Sequence, residues 1–160
     1  TEMLEFAVNG MNTPVALRYP RGEVRDVPVE SLCPYKPRLL CDGTDVFIAA
    51  VGITVYDALE AAELLNNSGV SAAVADVRCI KPIDIDFMKE NSSGKRLVVS
   101  IEDGIAEGGF GQQLAGALMR PVMNFGYPDV PIVQGSISQL KQKYGMDGES
   151  IAGEILRAMK

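Results

Sequence analysis

Residues 46–51 read VFIAAV, a nearly continuous apolar run that decides how the chain folds. A strand of this composition is covered on both faces, as in a parallel sheet between two layers of helices. Apolar positions then recur at helical spacing to about Asn67, and Gly69 predicts the end of that helix. Thr54 is the predicted N-cap, because Asp57 follows three residues later. The stretch therefore predicts a strand followed by a helix, the repeating unit of an α/β domain.

The same alternation continues to the end of the chain. Further strands are predicted at 70–77, 96–101 and 130–134, and helices at 84–90, 107–120, 136–144 and 148–159. Strands alternating with helices through short turns form mainly parallel sheets with right-handed crossovers. We therefore predict a three-layer α/β/α domain over residues 45–160, with a roughly five-stranded, mainly parallel sheet. The functional loops of such a sheet gather at the carboxyl ends of its strands.

The first 44 residues follow a different pattern. Residues 1–9 are predicted to be the end of a helix, and PVALRYP (14–20) a short strand that Pro20 and Gly22 terminate. Residues 23–44 hold three prolines and mixed charge, which is typical of a linker between domains.

Composition excludes several classes of protein. The 160 residues carry a formal net charge of -6, which disfavours binding to nucleic acid or to an anionic membrane surface. No apolar run approaches the roughly 20 residues that span a bilayer. The chain has no histidine, so Ser–His–Asp and Cys–His catalysis are excluded within it. Cys33, Cys41 and Cys79 do not form a metal-binding pattern, and reduced thiols without a signal peptide favour a cytoplasmic location.

The segment LRYPRG (17–22) is the first candidate site. It places Arg18 and Arg21 on either side of a Tyr–Pro turn at a predicted strand end. A guanidinium donates two parallel hydrogen bonds to phosphate or carboxylate, so a rigid loop holding Arg21 would suit an anion. The same residues also fit a solvated or ion-paired surface turn.

Two further segments admit both a chemical and a structural interpretation. SIEDGIAEGGFGQQL (100–114) opens a helix on glycines, which allows either close packing of helix on strand or an anion at the helix N-terminus. Its match to a dinucleotide-binding loop is poor, because Leu114 occupies the third glycine position. In DVRCIKPID (76–84), Arg78 and Lys81 would face a cleft or stay solvated or paired, with Asp84 and Asp86 as possible partners.

Taken in order, these segments resemble one family. LRYPRG, VFIAAVG, DVRCIKPID, VVSIEDGIAEGGFG and NFGYPDVPIVQG follow one another as in the C-terminal region of the 1-deoxy-D-xylulose-5-phosphate synthases, thiamine-diphosphate enzymes of the transketolase group. The resemblance runs from about residue 12 to the end of the chain. It implies a transketolase C-terminal-like domain over 45–160, a linker over 23–44, and a remnant of the preceding pyrimidine-binding domain over 1–22.

The resemblance also implies a division of roles. Thiamine diphosphate and Mg²⁺ would be bound by domains absent here, so no catalytic, cofactor-binding or metal-binding residue is expected in this chain. Arg21 matches the family's substrate-phosphate anchor, with Arg18 in support. The remaining domains of the same enzyme and a second subunit of a homodimer are the expected partners. The isolated chain is expected to be inactive, and residues 1–30 to be poorly ordered or borrowed by a neighbouring molecule.

Three alternatives stay open at this point. The chain could be the C-terminal part of a 2-oxoacid dehydrogenase beta subunit, whose partner carries lipoyl groups. It could be a natural subunit of a split enzyme. It could also be a stand-alone nucleotide- or anion-binding module that uses the helix opened by glycines at 107–111.

Overall fold

A five-stranded sheet forms the centre of the domain. The computed structural model describes residues 2–19, 33 and 35–160. The strands are β1 (Arg38–Cys41), β2 (Val46–Val51), β3 (Ala72–Asp76), β4 (Leu97–Ile105) and β5 (Met123–Tyr127). Their order across the sheet is β1-β3-β2-β4-β5, with β1 antiparallel to β3 and all other neighbours parallel. The predicted five-stranded, mainly parallel sheet is confirmed.

Helices cover both faces of this sheet. The helices of the described residues are α1 (Glu2–Gly10), α2 (Val55–Asn67), α3 (Ile85–Ser92), α4 (Phe110–Leu118), α5 (Ile137–Tyr144) and α6 (Gly148–Ala158), and the sheet is covered by α2, α3, α4 and α6. Alternate residues of β2 point to opposite faces. Val46, Ile48 and Ala50 join one core with α2 and α6, while Phe47 and Ala49 join a second core with α3 and α4. Apolar side chains form a core on each face of β2, so the three-layer architecture is confirmed.

The predicted strand at 14–20 is wrong for the part that the structure describes. Residues 14–19 are exposed and form no strand. A strand needs a neighbour for its backbone N–H and C=O groups, and no described strand pairs with this segment. Helix α1 precedes it as predicted and buries none of its own residues. The predicted poor order of residues 1–30 stays a prediction.

The last strand lies earlier than its predicted position. Residues 130–134 are exposed and form no strand, whereas β5 occupies 123–127. The apolar letters VPIV suggested a strand, but Pro131 has no backbone N–H to donate to a sheet. The real strand, MNFGY, is an edge strand whose central Phe125 alone is fully buried, so its apolar pattern is weak. Strand β1 was also missed. It is only four residues long, none of them is fully buried, and it lies inside the predicted linker.

Thr54 does not act as the predicted side-chain cap of α2. It stands at the N-cap position without a side-chain hydrogen bond to the helix. Its hydroxyl instead donates to the Ile101 carbonyl at 2.9 Å and accepts from the Val51 amide at 3.2 Å. Thr54 thus ties the loop after β2 to β4. In the described part of the chain, no helix is long and apolar enough to cross a membrane.

Candidate functional site

The carboxyl ends of four parallel strands define one edge of the sheet. β2, β3, β4 and β5 end there at Val51, Asp76, Ile105 and Tyr127. Loops that follow parallel strands are where this class of fold carries its ligands and contacts. We call this side of the domain the carboxyl edge.

Arg18 lies at the carboxyl edge, beside the end of β4. Its Nη2 atom is 3.8 Å from Asp103 Oδ2, and the two side chains are 80% and 50% exposed. An ion pair this exposed contributes little to stability, so the Arg18 guanidinium stays available to solvent. Arg21 and Gly22, together with residues 23–32 and 34 of the predicted linker, lie outside the described residues.

Asp76 and two arginines form a second charged group at this edge. Asp76 Oδ2 lies 3.3 Å from Arg38 Nε and 3.9 Å from Arg78 Nε. Burial raises the pKa of the Asp76 carboxyl, although both guanidiniums act to lower it. The Arg78 guanidinium also donates to the Cys33 carbonyl at 3.1 Å. Arg78 is therefore paired, which is one of the roles predicted from the sequence. Its carboxylate partner is Asp76 and not the predicted Asp84 or Asp86.

The N-terminus of α4 is closed by the protein's own carboxylate. Glu102 accepts hydrogen bonds from the amides of Phe110 at 3.0 Å and Gly111 at 3.2 Å. A side chain at Gly109 would collide with this carboxylate, since its Cβ would lie 2.3 Å from Glu102 Oε1. The amides that an external anion would need are already bound. This geometry argues against a stand-alone anion-binding module built on residues 107–111.

Removing the Glu102 carboxylate should loosen α4. A carboxylate that accepts from two helix N-terminal amides contributes about 1–3 kcal/mol, from capping and from the helix dipole together. We expect Glu102→Ala to lower the free energy of unfolding by that amount in urea titrations. Glu107→Ala, an exposed position in the same loop, is the matched control and should change it by less than about 0.5 kcal/mol. Equal losses in the two variants would contradict the capping role.

Gly111, in the first turn of α4, allows the helix to pack closely on the sheet. A Cβ atom at Gly111 would lie 2.2 Å from both Ser100 Oγ and Asn124 Oδ1. Those two atoms are joined by a hydrogen bond of 3.0 Å beneath α4. The close approach of helix to strand, one of the two interpretations of this segment, is therefore confirmed.

A buried ion pair and a tyrosine complete the carboxyl edge. Lys141 Nζ lies 2.6 Å from Asp57 Oδ2, and both side chains are largely buried. Burial, followed by the nearby charges of Asp103 and Asp57, raises the pKa of Tyr127. The ring of Tyr127 packs edge-on against Tyr144 at 5.6 Å between centroids.

The described residues do not form a cluster of metal ligands. Among them, no three His, Cys, Asp or Glu side chains are grouped so as to hold a metal ion. Glu102, Asp57 and Asp76, the most buried carboxylates of the carboxyl edge, are each occupied by amides or cations of the chain itself. The expectation that cofactor and Mg²⁺ are held elsewhere therefore rests on the family resemblance.

Sequence reasoning missed the pairs Asp57–Lys141 and Asp76–Arg38. Their members are separated by 84 and 38 residues, respectively, and no local motif connects them. The sequence does indicate that Asp57 and Asp76 lie at the carboxyl edge. Asp57 is near the start of the predicted helix that follows strand 46–51, and Asp76 is near the end of the predicted strand 70–77. The choice of partner follows from tertiary packing alone.

Comparison with known proteins identifies the family. The model of the transketolase C-terminal domain family matches residues 36–151, and this chain belongs to that family. The matched range begins two residues before β1, so it includes β1 and the last residues of the predicted linker.

Curated relatives carry the name 1-deoxy-D-xylulose-5-phosphate synthase, which confirms the resemblance seen in the motifs. The enzyme of Caldanaerobacter subterraneus subsp. tengcongensis is 34% identical over 167 residues, covering 99% of this chain and 27% of the relative. That of Syntrophotalea carbinolica is 38% identical over 156 residues, covering 91% and 24%. The chain thus spans about a quarter of the length of these relatives.

A solved structure shows the same fold. It is described as a split gene transketolase, inactive beta4 tetramer, and superposes with a TM-score of 0.72 at 31% identity. The match covers 88% of this chain and 46% of that one. The α/β architecture derived above is therefore that of a transketolase-type domain.

Proposed function

We propose that this chain acts as the C-terminal domain of a 1-deoxy-D-xylulose-5-phosphate synthase. That reaction joins pyruvate to glyceraldehyde 3-phosphate, releases CO₂ and supplies a precursor for isoprenoid, thiamine and pyridoxal biosynthesis. The similarity to synthases over 91–99% of the chain is the observation that carries the proposal. Thiamine diphosphate and Mg²⁺ would be held by the parts of the enzyme that precede this domain. The chain alone would not complete the reaction.

The proposed contribution to substrate binding is one guanidinium. Arg21 would hold the phosphate of glyceraldehyde 3-phosphate, with Arg18 in support. The position of Arg18 beside Asp103 supports this role.

The second proposed contribution is a docking surface for the rest of the enzyme. Apolar side chains are exposed at the end of β4 and in the segments that follow β3 and β5, with Ile105 46%, Ile80 47% and Val130 55% exposed. Apolar side chains grouped at one edge are typical of contact surfaces. We place the preceding domains of the same polypeptide against this edge. Support of a homodimer belongs to the same proposal.

A domain exchange tests the proposal. This chain would replace the matching C-terminal quarter of the Caldanaerobacter synthase, and product formation would be followed by mass spectrometry. We expect the chimera to make 1-deoxyxylulose 5-phosphate and the isolated chain to make none with added thiamine diphosphate and Mg²⁺. The Caldanaerobacter enzyme truncated before the exchange point is the control. Product from the isolated chain, or a folded chimera without activity, would contradict the proposal.

A split-enzyme subunit is the second candidate. The structural neighbour is described as a split gene transketolase, and this chain covers 46% of it. Restoration of activity by adding the separate chain to the truncated relative would favour this arrangement over a single polypeptide. A 2-oxoacid dehydrogenase beta subunit would instead be revealed by capture of a lipoyl-bearing acyltransferase. Cytoplasmic location stays a prediction, supported by the three free cysteines among the described residues.

A further inference from the structure

Residues 128–143 form a segment that scarcely packs on the domain; we call it the strap. It begins after Tyr127, the last residue of β5, and ends before Tyr144, the last residue of α5. Both tyrosines pack against the core beside α2 and α6. Every residue from 128 to 139 is exposed. Helix α5, which makes up most of its second half, buries none of its residues.

Local interactions cannot hold the strap in place. Helix α5 has only eight residues, and isolated helices of that length are marginal in water. Its capping box, in which Ser136 and Gln139 bond each other's backbone, stabilises the helix without attaching it to the sheet. An open groove of about 400 Å³ is lined by residues 133–135 and by the α5 residues Gln139, Leu140 and Lys143. The groove therefore lies within the strap itself, and its lining includes no residue of the sheet.

An ion pair attaches the strap to helix α2. Lys141 Nζ lies 2.6 Å from Asp57 Oδ2, and the side chains are 18% and 10% exposed. Within the described residues, it is the one ion pair between the strap and another element. Asp57 belongs to the first turn of α2, where the helix dipole already stabilises a carboxylate. Breaking a pair this buried leaves an uncompensated charge, which is far more costly than losing an exposed pair.

We propose that the Lys141–Asp57 pair is a latch, and that the strap opens as a unit while the rest of the domain stays folded. Opening separates Lys141 from the Asp57 carboxylate and so uncovers that carboxylate on the carboxyl edge. It also frees Val130, Ile132 and Ile137, all exposed on the strap, to move together. The latch is therefore a conformational device of the domain, and it does not depend on the proposed enzymatic role.

Hydrogen exchange on this chain tests the latch. The reporters are the α5 amides Leu140 to Tyr144, with the buried strand β2 as the internal reference for global unfolding. In the wild type we expect the α5 amides to exchange through an opening that depends weakly on denaturant, unlike β2. Lys141→Met should speed their exchange roughly tenfold or more while β2 stays protected. Lys143→Met, the same change at an exposed position of the same helix, should leave the rates within about twofold.

Asp57 supplies the second arm of the test. Asp57→Asn should speed α5 exchange as Lys141→Met does, and the double variant should add little to either change, because both break the same contact. Two results would overturn the proposal. One is α5 exchange that follows global unfolding with the same denaturant dependence as β2. The other is Lys141→Met and Lys143→Met giving equal rates.

Discussion

Replacing Phe47 by Ala should lower the free energy of unfolding by about 3–5 kcal/mol, the loss usual for a fully buried aromatic side chain. Phe47 is 0% exposed on the central strand β2. Its ring belongs to the core with Met88 of α3 and with Phe110 and Leu114 of α4. No backbone movement can refill the cavity without displacing two helices. Urea or thermal unfolding followed by circular dichroism measures the effect.

The matched control is Leu59→Ala on α2. Leu59 is an apolar residue 36% exposed at the surface, so its truncation should cost less than about 1 kcal/mol. If Phe47→Ala costs no more than Leu59→Ala, the face of the sheet beneath α3 and α4 is not a packed core, and the three-layer description is wrong.

Replacing Arg21 by Ala in the active chimera should raise the KM for glyceraldehyde 3-phosphate by about 10- to 150-fold. A charge-assisted, bidentate contact to phosphate contributes about 1.5–3 kcal/mol, and each 1.36 kcal/mol is a factor of ten. The KM for pyruvate, which has no phosphate, should stay within about twofold. Steady-state kinetics with each substrate varied in turn separates the two effects.

Arg18→Ala is the control for Arg21→Ala. The Arg18 pair with Asp103 is exposed, so its loss should change the KM for the aldehyde phosphate by less than about fivefold. An unchanged KM in Arg21→Ala would remove the phosphate-anchor assignment. A larger effect in Arg18→Ala than in Arg21→Ala would transfer that assignment to Arg18.

The buried strands and helices could be predicted because the run or spacing of their apolar residues indicates which positions are buried. VFIAAV is apolar at successive positions, and β2 is indeed buried from Val46 to Ala50. Helices α2, α5 and α6 lie close to their predicted limits. Edge elements were not predictable in this way. One side of an edge strand faces solvent, so β1 and β5 lack the apolar run that identified β2.

The candidate site was only partly predictable. Motif order led to the family and to Arg21, whose residue type suits phosphate. The glycines at 109 and 111 allowed two interpretations, and the choice between them depended on Glu102 and on the Ser100–Asn124 pair. The pairing of Asp57 with Lys141 joins elements 84 residues apart. Such contacts depend on where the helices lie around the sheet, and no short stretch of the sequence shows which distant residue will be the partner.

The antiparallel direction of β1 determines where the polypeptide enters the domain. Arg38, its first residue, pairs in register with Asp76, the last residue of β3. Residues immediately upstream of Arg38 therefore meet the sheet beside the loops that follow the parallel strands. A polypeptide joined to the chain just before Arg38 is therefore attached next to those loops and does not have to pass around the helices to reach them. A folded body joined there by a short flexible tether would be held at about millimolar effective concentration, so even a weak contact between the two would be occupied most of the time.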